Sequence, residues 1–253
     1  MQPTIAQSAA QGHGPLYKEV KRLLTQSLIE REWAPGVALP SETRLAQRYG
    51  VSIGTLRKAI DELVAERIVQ RHQGRGTFVA THNANRLLFH FFHIVGRDGH
   101  QAFPTTQTLH FRCAKATEDE AQRLGLAAHA KVLRIRNLLS LEGQPVIVDD
   151  IVLPQARFSD LTAQRFKQRD NTIYHLYQTA YGINVVRSSE RLSAVLATAD
   201  IAALLKIQQH APLLAINRTA LTYRDAPVEL RRSLVNTAAH EYHSNRGKEK
   251  SAG

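Results

Sequence analysis

Val51-Ser52-Ile53-Gly54-Thr55-Leu56-Arg57-Lys58-Ala59-Ile60-Asp61-Glu62-Leu63 is the stretch on which the reading of this chain turns. Ser52 is a good N-cap, and Leu56, Ala59, Ile60 and Leu63 recur at three- and four-residue intervals, which predicts a helix with one apolar stripe to bury. The other face opens with Thr55, Arg57 and Lys58. A cation in the first turn opposes the helix dipole, so these two gain nothing locally and are better explained by an anion outside the chain. Taken alone, the stretch reads more simply as a solvated amphipathic helix. Its neighbours reverse that preference.

Upstream, Leu16, Val20, Leu23, Leu24 and Leu28 fall on one helical face. Pro40-Ser41-Glu42-Thr43-Arg44 then opens a short helix with Ser41 as N-cap, Leu45, Ala46 and Tyr49 as its buried side and Gly50 beyond its C-terminus. Only Val51 separates Gly50 from Ser52. Two short helices joined by so tight a turn form a helix-turn-helix, whose second helix enters the major groove. Downstream, Ile68 to His72 and Thr77 to Val79 are β-prone runs around Gln73-Gly74-Arg75-Gly76. They predict a hairpin whose two glycines permit positive φ and whose Arg75 can lie along a phosphate rail or in a minor groove.

Lys and Arg total 33 against 22 Asp and Glu in 253 residues, a net charge of +11 that favours anionic partners. Residues 1–80 hold 11 basic and 7 acidic side chains, leaving +7 for the rest, so the excess is spread along the chain. A lone cysteine, Cys113, excludes an internal disulfide framework and fits a reducing compartment. The first residues lack a signal-peptide pattern and no long apolar run occurs, so the expected location is the cytoplasm, with no membrane partner.

Together these residues resemble the winged helix-turn-helix domain of the GntR family of bacterial transcription regulators. The pieces that carry the resemblance are Leu39-Pro40-Ser41-Glu42, Leu45-Ala46, Tyr49-Gly50-Val51-Ser52, Thr55-Leu56-Arg57, Leu63 and Gln73-Gly74-Arg75-Gly76-Thr77-Phe78-Val79. The resemblance implies DNA contacts from Thr55 and Arg57 on the recognition helix and from Gln73, Gly74 and Arg75 on the wing. Arg44 is a further phosphate contact, and Lys58 joins the basic face. The chain departs from the common pattern at Ile53, where an arginine usually stands, and at Gly54, where a threonine is frequent; direct guanine readout from that position is lost.

In the second half, Leu109, Phe111 and Cys113 alternate with polar neighbours as on a half-buried strand, with Cys113 inward. Thr117-Glu118-Asp119-Glu120 begins a helix with a capping box, closed by Gly125. Lys131 to Leu141 and Pro145 to Leu153 predict a second hairpin around Glu142-Gly143-Gln144. A spacing of 82 relates Arg136 to Arg218, Pro145 to Pro227 and Val146 to Val228, which suggests two similar halves building one sheet. Thr172-Ile173-Tyr174 begins a helix reaching Tyr181-Gly182, followed by a strand from about Asn184. His90 and His93 lack a matching set of metal ligands, so no metal and no cofactor is expected.

Residues 88–242 resemble the UTRA effector-binding domain of the HutC-like branch of the same family, on Arg134-Ile135-Arg136, Gln144-Pro145, Leu153-Pro154, Ile173-Tyr174 and Ala226-Pro227-Val228-Glu229. That domain shares the chorismate lyase fold. Arg134 and Arg136, two apart on a strand, project from one face and can converge on a carboxylate or phosphate. The resemblance implies a pocket lined by Arg134, Arg136, Asp149, Thr172, Tyr174 and Glu229.

The expected architecture is therefore α+β: a disordered arm (1–14), a winged helix-turn-helix domain (15–80), a linker (81–87), a UTRA-like domain with a mixed or antiparallel sheet (88–242) that also dimerises, and a disordered tail (243–253). The expected protein is a homodimeric repressor that binds a double-stranded operator and responds to a small anionic effector. The alternative is a lyase-like enzyme fused to a DNA-binding module. No Ser-His-Asp arrangement or phosphate-binding glycine loop supports it.

Overall fold

The computed structural model describes residues 15–81, 91–169 and 172–244. The expected arm, most of the linker, Phe89, His90 and most of the tail lie outside these residues. The chain divides into two compact units.

The first unit begins with helices α1 (Leu16–Ile29), α2 (Glu42–Tyr49) and α3 (Ile53–Ala65), followed by strands β1 (Val69–His72) and β2 (Gly76–Val79). The helix-turn-helix forms through the caps that the sequence advertises. The Arg44 N–H donates to Ser41 Oγ at 3.3 Å, Gly50 takes the left-handed conformation at φ 64°, and the Thr55 N–H donates to Ser52 Oγ at 3.1 Å. Each of the two serine caps stabilises its helix by ~1 kcal/mol. Leu24 of α1, Leu45 of α2 and Leu56, Ile60 and Leu63 of α3 are fully buried against one another, each contributing about 1.5–3 kcal/mol of burial. The β1–β2 hairpin has a third partner. The Leu39 N–H donates to Thr77 O at 2.7 Å and the Val79 N–H donates to Val37 O at 3.0 Å. Those few residues between Gly36 and Pro40 are too short a run for alternation to reveal.

Tyr174–Arg187 and Thr222–Asp225 belong to the same unit. The Gln178 amide donates to Ala80 O at 2.9 Å, the Asn184 amide donates to the Tyr223 hydroxyl at 2.8 Å, and Tyr223 sits in the core formed by the helices. Asn184 is thus engaged through its side chain, and the strand expected from about that residue starts instead at Arg187.

The second unit is built on a six-stranded sheet in the order β4-β5-β6-β9-β8-β7. Its strands are β4 (Thr105–Lys115), β5 (Lys131–Leu141), β6 (Gln144–Pro154), β7 (Arg187–Leu196), β8 (Pro212–Leu221) and β9 (Pro227–Val235). β3 (Ile94–Gly96) pairs with β10 (His240–Tyr242) apart from it. The β5–β6 turn is Glu142-Gly143, both at positive φ (49° and 79°), as a two-residue hairpin with right-handed strand twist requires. Between the strands lie α4 (Glu118–Leu124), α5 (Ala163–Lys167) and α7 (Ala199–Leu205); α6 (Ile173–Tyr181), which precedes β7 in sequence, belongs beyond its first residue to the first unit. The capping box at Thr117 and Glu120 is present, and Gly125 is left-handed.

The palindromic strand order reflects two copies of one β-α-β-β unit. Thr117 and Thr198 both stand at helix N-cap positions, Gly125 and Lys206 are both left-handed, and His129 and His210 both have positive φ. The Ala116 and Ala197 N–H groups donate to Ala130 O and Ala211 O at 2.8 and 2.9 Å. The spacing here is 81, so the counterpart of Arg136 is Asn217. The second copy's hairpin turn, around Tyr223–Asp225, is one residue longer, and only beyond it does the spacing of 82 relate Pro145 to Pro227 and Val146 to Val228. The expected match of Arg136 with Arg218 is corrected accordingly: the two project from opposite faces.

Register defines those faces. On one, α4 packs over Val132 and Val152, and α7 over Val148, Ala215 and Leu234. Ile135, Ile151 and Val235 are buried on the other. Cys113, expected inward, is exposed, with its thiol 3.4 Å from Gln155 Oε1. β4 is an edge strand, so its alternation does not guarantee cover.

Candidate functional site

α3 presents its polar face to solvent beside the wing. Arg44, Arg57, Lys58, Gln73, Gly74 and Arg75 are exposed and Thr55 is half-buried. The Thr55 hydroxyl shares a 2.9 Å hydrogen bond with Ser52 Oγ, which holds it at the helix tip. Arg57 Nε donates to Glu42 Oε2 at 2.5 Å, and the same carboxylate lies 3.5 Å from Arg71 of β1. Glu42 therefore ties the recognition helix to the wing and aims Arg57 toward it. A cleft of about 470 Å³ between Ser41-Glu42 and Gln73-Gly74 marks the same junction. Arg75 leans over the Phe78 ring, its guanidinium carbon 5.8 Å from the centroid, which stiffens the wing tip. Lys58 is set apart from this group, with its ammonium 4.2 Å from the Tyr17 ring of α1.

Two contributors were missed in the sequence, Glu42 and Arg71. In the sequence Glu42 stands inside a motif, and Arg71 is one residue of a β-prone run. Their role depends on the approach of α2 to β1, which no local pattern encodes. Ile53 is 41% exposed at the helix tip, and a Cβ placed on Gly54 would meet nothing nearer than Ser52 Oγ at 3.9 Å. Folding does not require glycine at 54.

The six residues expected to line one effector pocket are divided by the sheet. Arg134 and Arg136 lie on the face carrying α4 and α7, where Arg136 is opposite His110 and Asp150, and Asp150 is opposite Arg232. Asp149 and Glu229 lie on the opposite face, in register with Asn137 and Ala220 respectively. Alternation is the reason: 134 and 136 share parity on β5, while the register sets Asp149 against Asn137. Thr172 and Tyr174 are both buried, the one belonging to the second compact unit and the other to the first.

Neither arginine is free to seize an acid. Arg134 donates to both oxygens of Glu120, at 2.5 and 2.7 Å, and Arg136 to both of Asp150, at 2.7 and 2.8 Å. Burial pushes the Glu120 carboxyl up, yet the Arg134 hydrogen bonds and the Thr117 N–H outweigh it and leave the pKa lowered. On the other face Arg231 donates to both Glu229 oxygens at 3.0 Å and to Asp149 at 3.3 Å, and the Ser233 hydroxyl donates to Asp149. Burial raises the Asp149 carboxyl above its ordinary range, opposed by Arg231 and Ser233 without being cancelled. Beside it Asn137 is fully buried, and neither its amide nitrogen nor its oxygen has a hydrogen-bond partner among the described residues. Such an orphan is uncommon and calls for an unseen partner.

The comparisons with known proteins fit this geometry. The UTRA domain pattern matches residues 99–241, more than half of the chain, and the pattern of bacterial regulatory proteins of the gntR family matches residues 16–79. This chain belongs to the GntR family, with a UTRA domain. It is similar to the histidine utilization repressor of Pseudomonas putida, 29% identical over 94% of this chain and 95% of that one. The mannosyl-D-glycerate transport/metabolism system repressor MngR of Escherichia coli is 28% identical over 80% of this chain and 84% of its own. The ligand-binding domain of a GntR-family regulator from Bordetella bronchiseptica superposes with a TM-score of 0.61 at 31% identity, over 63% of this chain and 99% of that one. The protein is a DNA-binding transcription regulator modulated by an effector, and the lyase-like alternative is set aside. Among the described residues no helix is long and apolar enough to cross a membrane.

Proposed function

We propose that the chain is a homodimeric cytoplasmic repressor that reads an inverted-repeat operator with α3 and the wing and releases or retains it according to a small polar metabolite. The observation that carries the DNA half is the Ser52-capped helix, which displays Thr55 and Arg57 beside the Gly74-Arg75 tip through the shared Glu42 carboxylate. Thr55 and Arg57 reach base edges; Arg44, Lys58, Gln73, Gly74 and Arg75 contact the backbone or minor groove. Ile53 and Gly54 offer an apolar contact and a close backbone approach in place of a guanidinium.

The effector is held on the face bearing Asp149 and Glu229, where it supplies the donor and acceptor that Asn137 lacks. Enrichment of bound duplexes from a random pool by the full chain tests the proposal. An inverted repeat with half-sites about one helical turn, or a multiple of it, apart is the expected product. Recovery of sequences no different from the starting pool would overturn it.

A further inference from the structure

The face carrying α4 and α7 holds a cleft of about 700 Å³ whose charged lining the effector reading does not use. Comparison of the two copies of the repeat shows that the scaffold does not need those charges. At a spacing of 81, Glu120, Arg123 and Arg134 correspond to Ile201, Leu204 and Ala215, and there α7 closes on the sheet through apolar contacts. In the first copy Ala121 and Leu124 still seat α4, but the neighbouring positions are ionic and the cleft stays open.

Within the cleft the ion pairs Arg134–Glu120, Arg136–Asp150 and Arg123–Asp119 use all three carboxylates, and Arg231 is held by Glu229 and Asp149. Two guanidinium groups remain over: Arg112, directly opposite Arg134 on β4, and Arg232, opposite Asp150 on β9. Neither has a hydrogen bond or ion pair among the described residues, and both are exposed into the cleft. Arg112 faces a like charge across the ladder, which is destabilising, and the Asp150 carboxylate opposite Arg232 is already taken by Arg136, so an anion would serve both. β4 and β9 are three strands apart, about 14 Å at the backbone. The volume is that of a small-molecule site.

We infer that this cleft is a second ligand site, on the face opposite Asp149 and Glu229, for an elongated metabolite with an acidic group at each end, one end held by Arg112 and the other by Arg232. Arg134 and Arg136, fixed by their carboxylates, form the wall between the two ends. The inference does not depend on which DNA the protein binds or on what occupies the opposite face.

Isothermal titration of the full chain at low salt tests it, with fructose 1,6-bisphosphate as the two-ended probe and glucose 6-phosphate and inorganic phosphate as one-ended probes. The expected result is that the bisphosphate binds about tenfold or more tightly than either, and that Arg112→Gln and Arg232→Gln, both at exposed positions, each lower its affinity by about tenfold. The absence of bisphosphate binding at millimolar concentration, equal binding of the one-ended probes, or binding untouched by both substitutions would overturn it.

Discussion

The winged unit and the sheet unit place their charges in opposite surroundings. Arg57 and Arg75 stand in solvent with a single tether each, Glu42 and the Phe78 ring. Arg218 and Glu190 of the sheet form a 2.5 Å pair with side chains only 9% exposed, completed by the Tyr242 hydroxyl and the Phe91 carbonyl. A polymer such as DNA must be met at the surface, so its readers can be changed without unfolding their unit. A small molecule has to be enclosed, and on the proposed effector face buried pairs of this kind also hold the sheet together.

That contrast is open to attack from the side of the largest effect. Arg218→Met strands the Glu190 carboxylate, and chemical denaturation should show a loss of about 3–5 kcal/mol; a loss under 1 kcal/mol would mean that the pair is not buried in solution. Arg57→Ala should do the reverse, lowering operator affinity by roughly ten- to a hundredfold and relaxing sequence preference with the melting temperature unchanged. If preference is kept, Arg57 touches phosphate only. For Arg75→Ala the expected loss is a few-fold and even across sequences, with the slope of log affinity against log salt reduced by about one. Gly54→Ala has room for its methyl group and should stabilise the winged unit by about 0.5–1 kcal/mol while weakening operator binding, because the backbone can no longer approach as closely. Stronger binding would remove Gly54 from the interface.

A pH titration sharpens the sheet side at the smallest scale. The folded-state pKa of Glu120 is lowered, so the stability it contributes is present above its unfolded pKa and is lost as the pH falls through the folded value. Glu120→Gln should flatten the acid limb of the stability profile by a fraction of a kcal/mol, since the pair is partly exposed. An unchanged profile would show that Arg134 gives it no net support.

The two units also differ in how far they could be read in advance. The helix-turn-helix is written in local signals: Ser41, Gly50 and Ser52 act on residues within three or four positions, and all three behave as their chemistry dictates. The capping box at Thr117 and the Glu142-Gly143 turn were legible for the same reason. Distinguishing one sheet face from the other requires register between strands far apart in sequence. Arg134 and Arg136 looked like a ligand pair because they share a face, and nothing near them disclosed that Glu120 and Asp150 would claim them. Asn137, the residue after Arg136, carried no local signal. Its importance comes from being buried opposite Asp149 without a hydrogen-bond partner among the described residues.

The central claim is that occupancy of the sheet unit sets the affinity of the winged unit for DNA. It is tested most directly by measuring the affinity of the full chain for its selected operator, with and without a metabolite shown to bind by thermal shift. The expected result is a change of at least about fivefold, the lower end of ordinary allosteric coupling, and its loss in Asn137→Leu. An operator affinity that stays the same at saturating metabolite would contradict it.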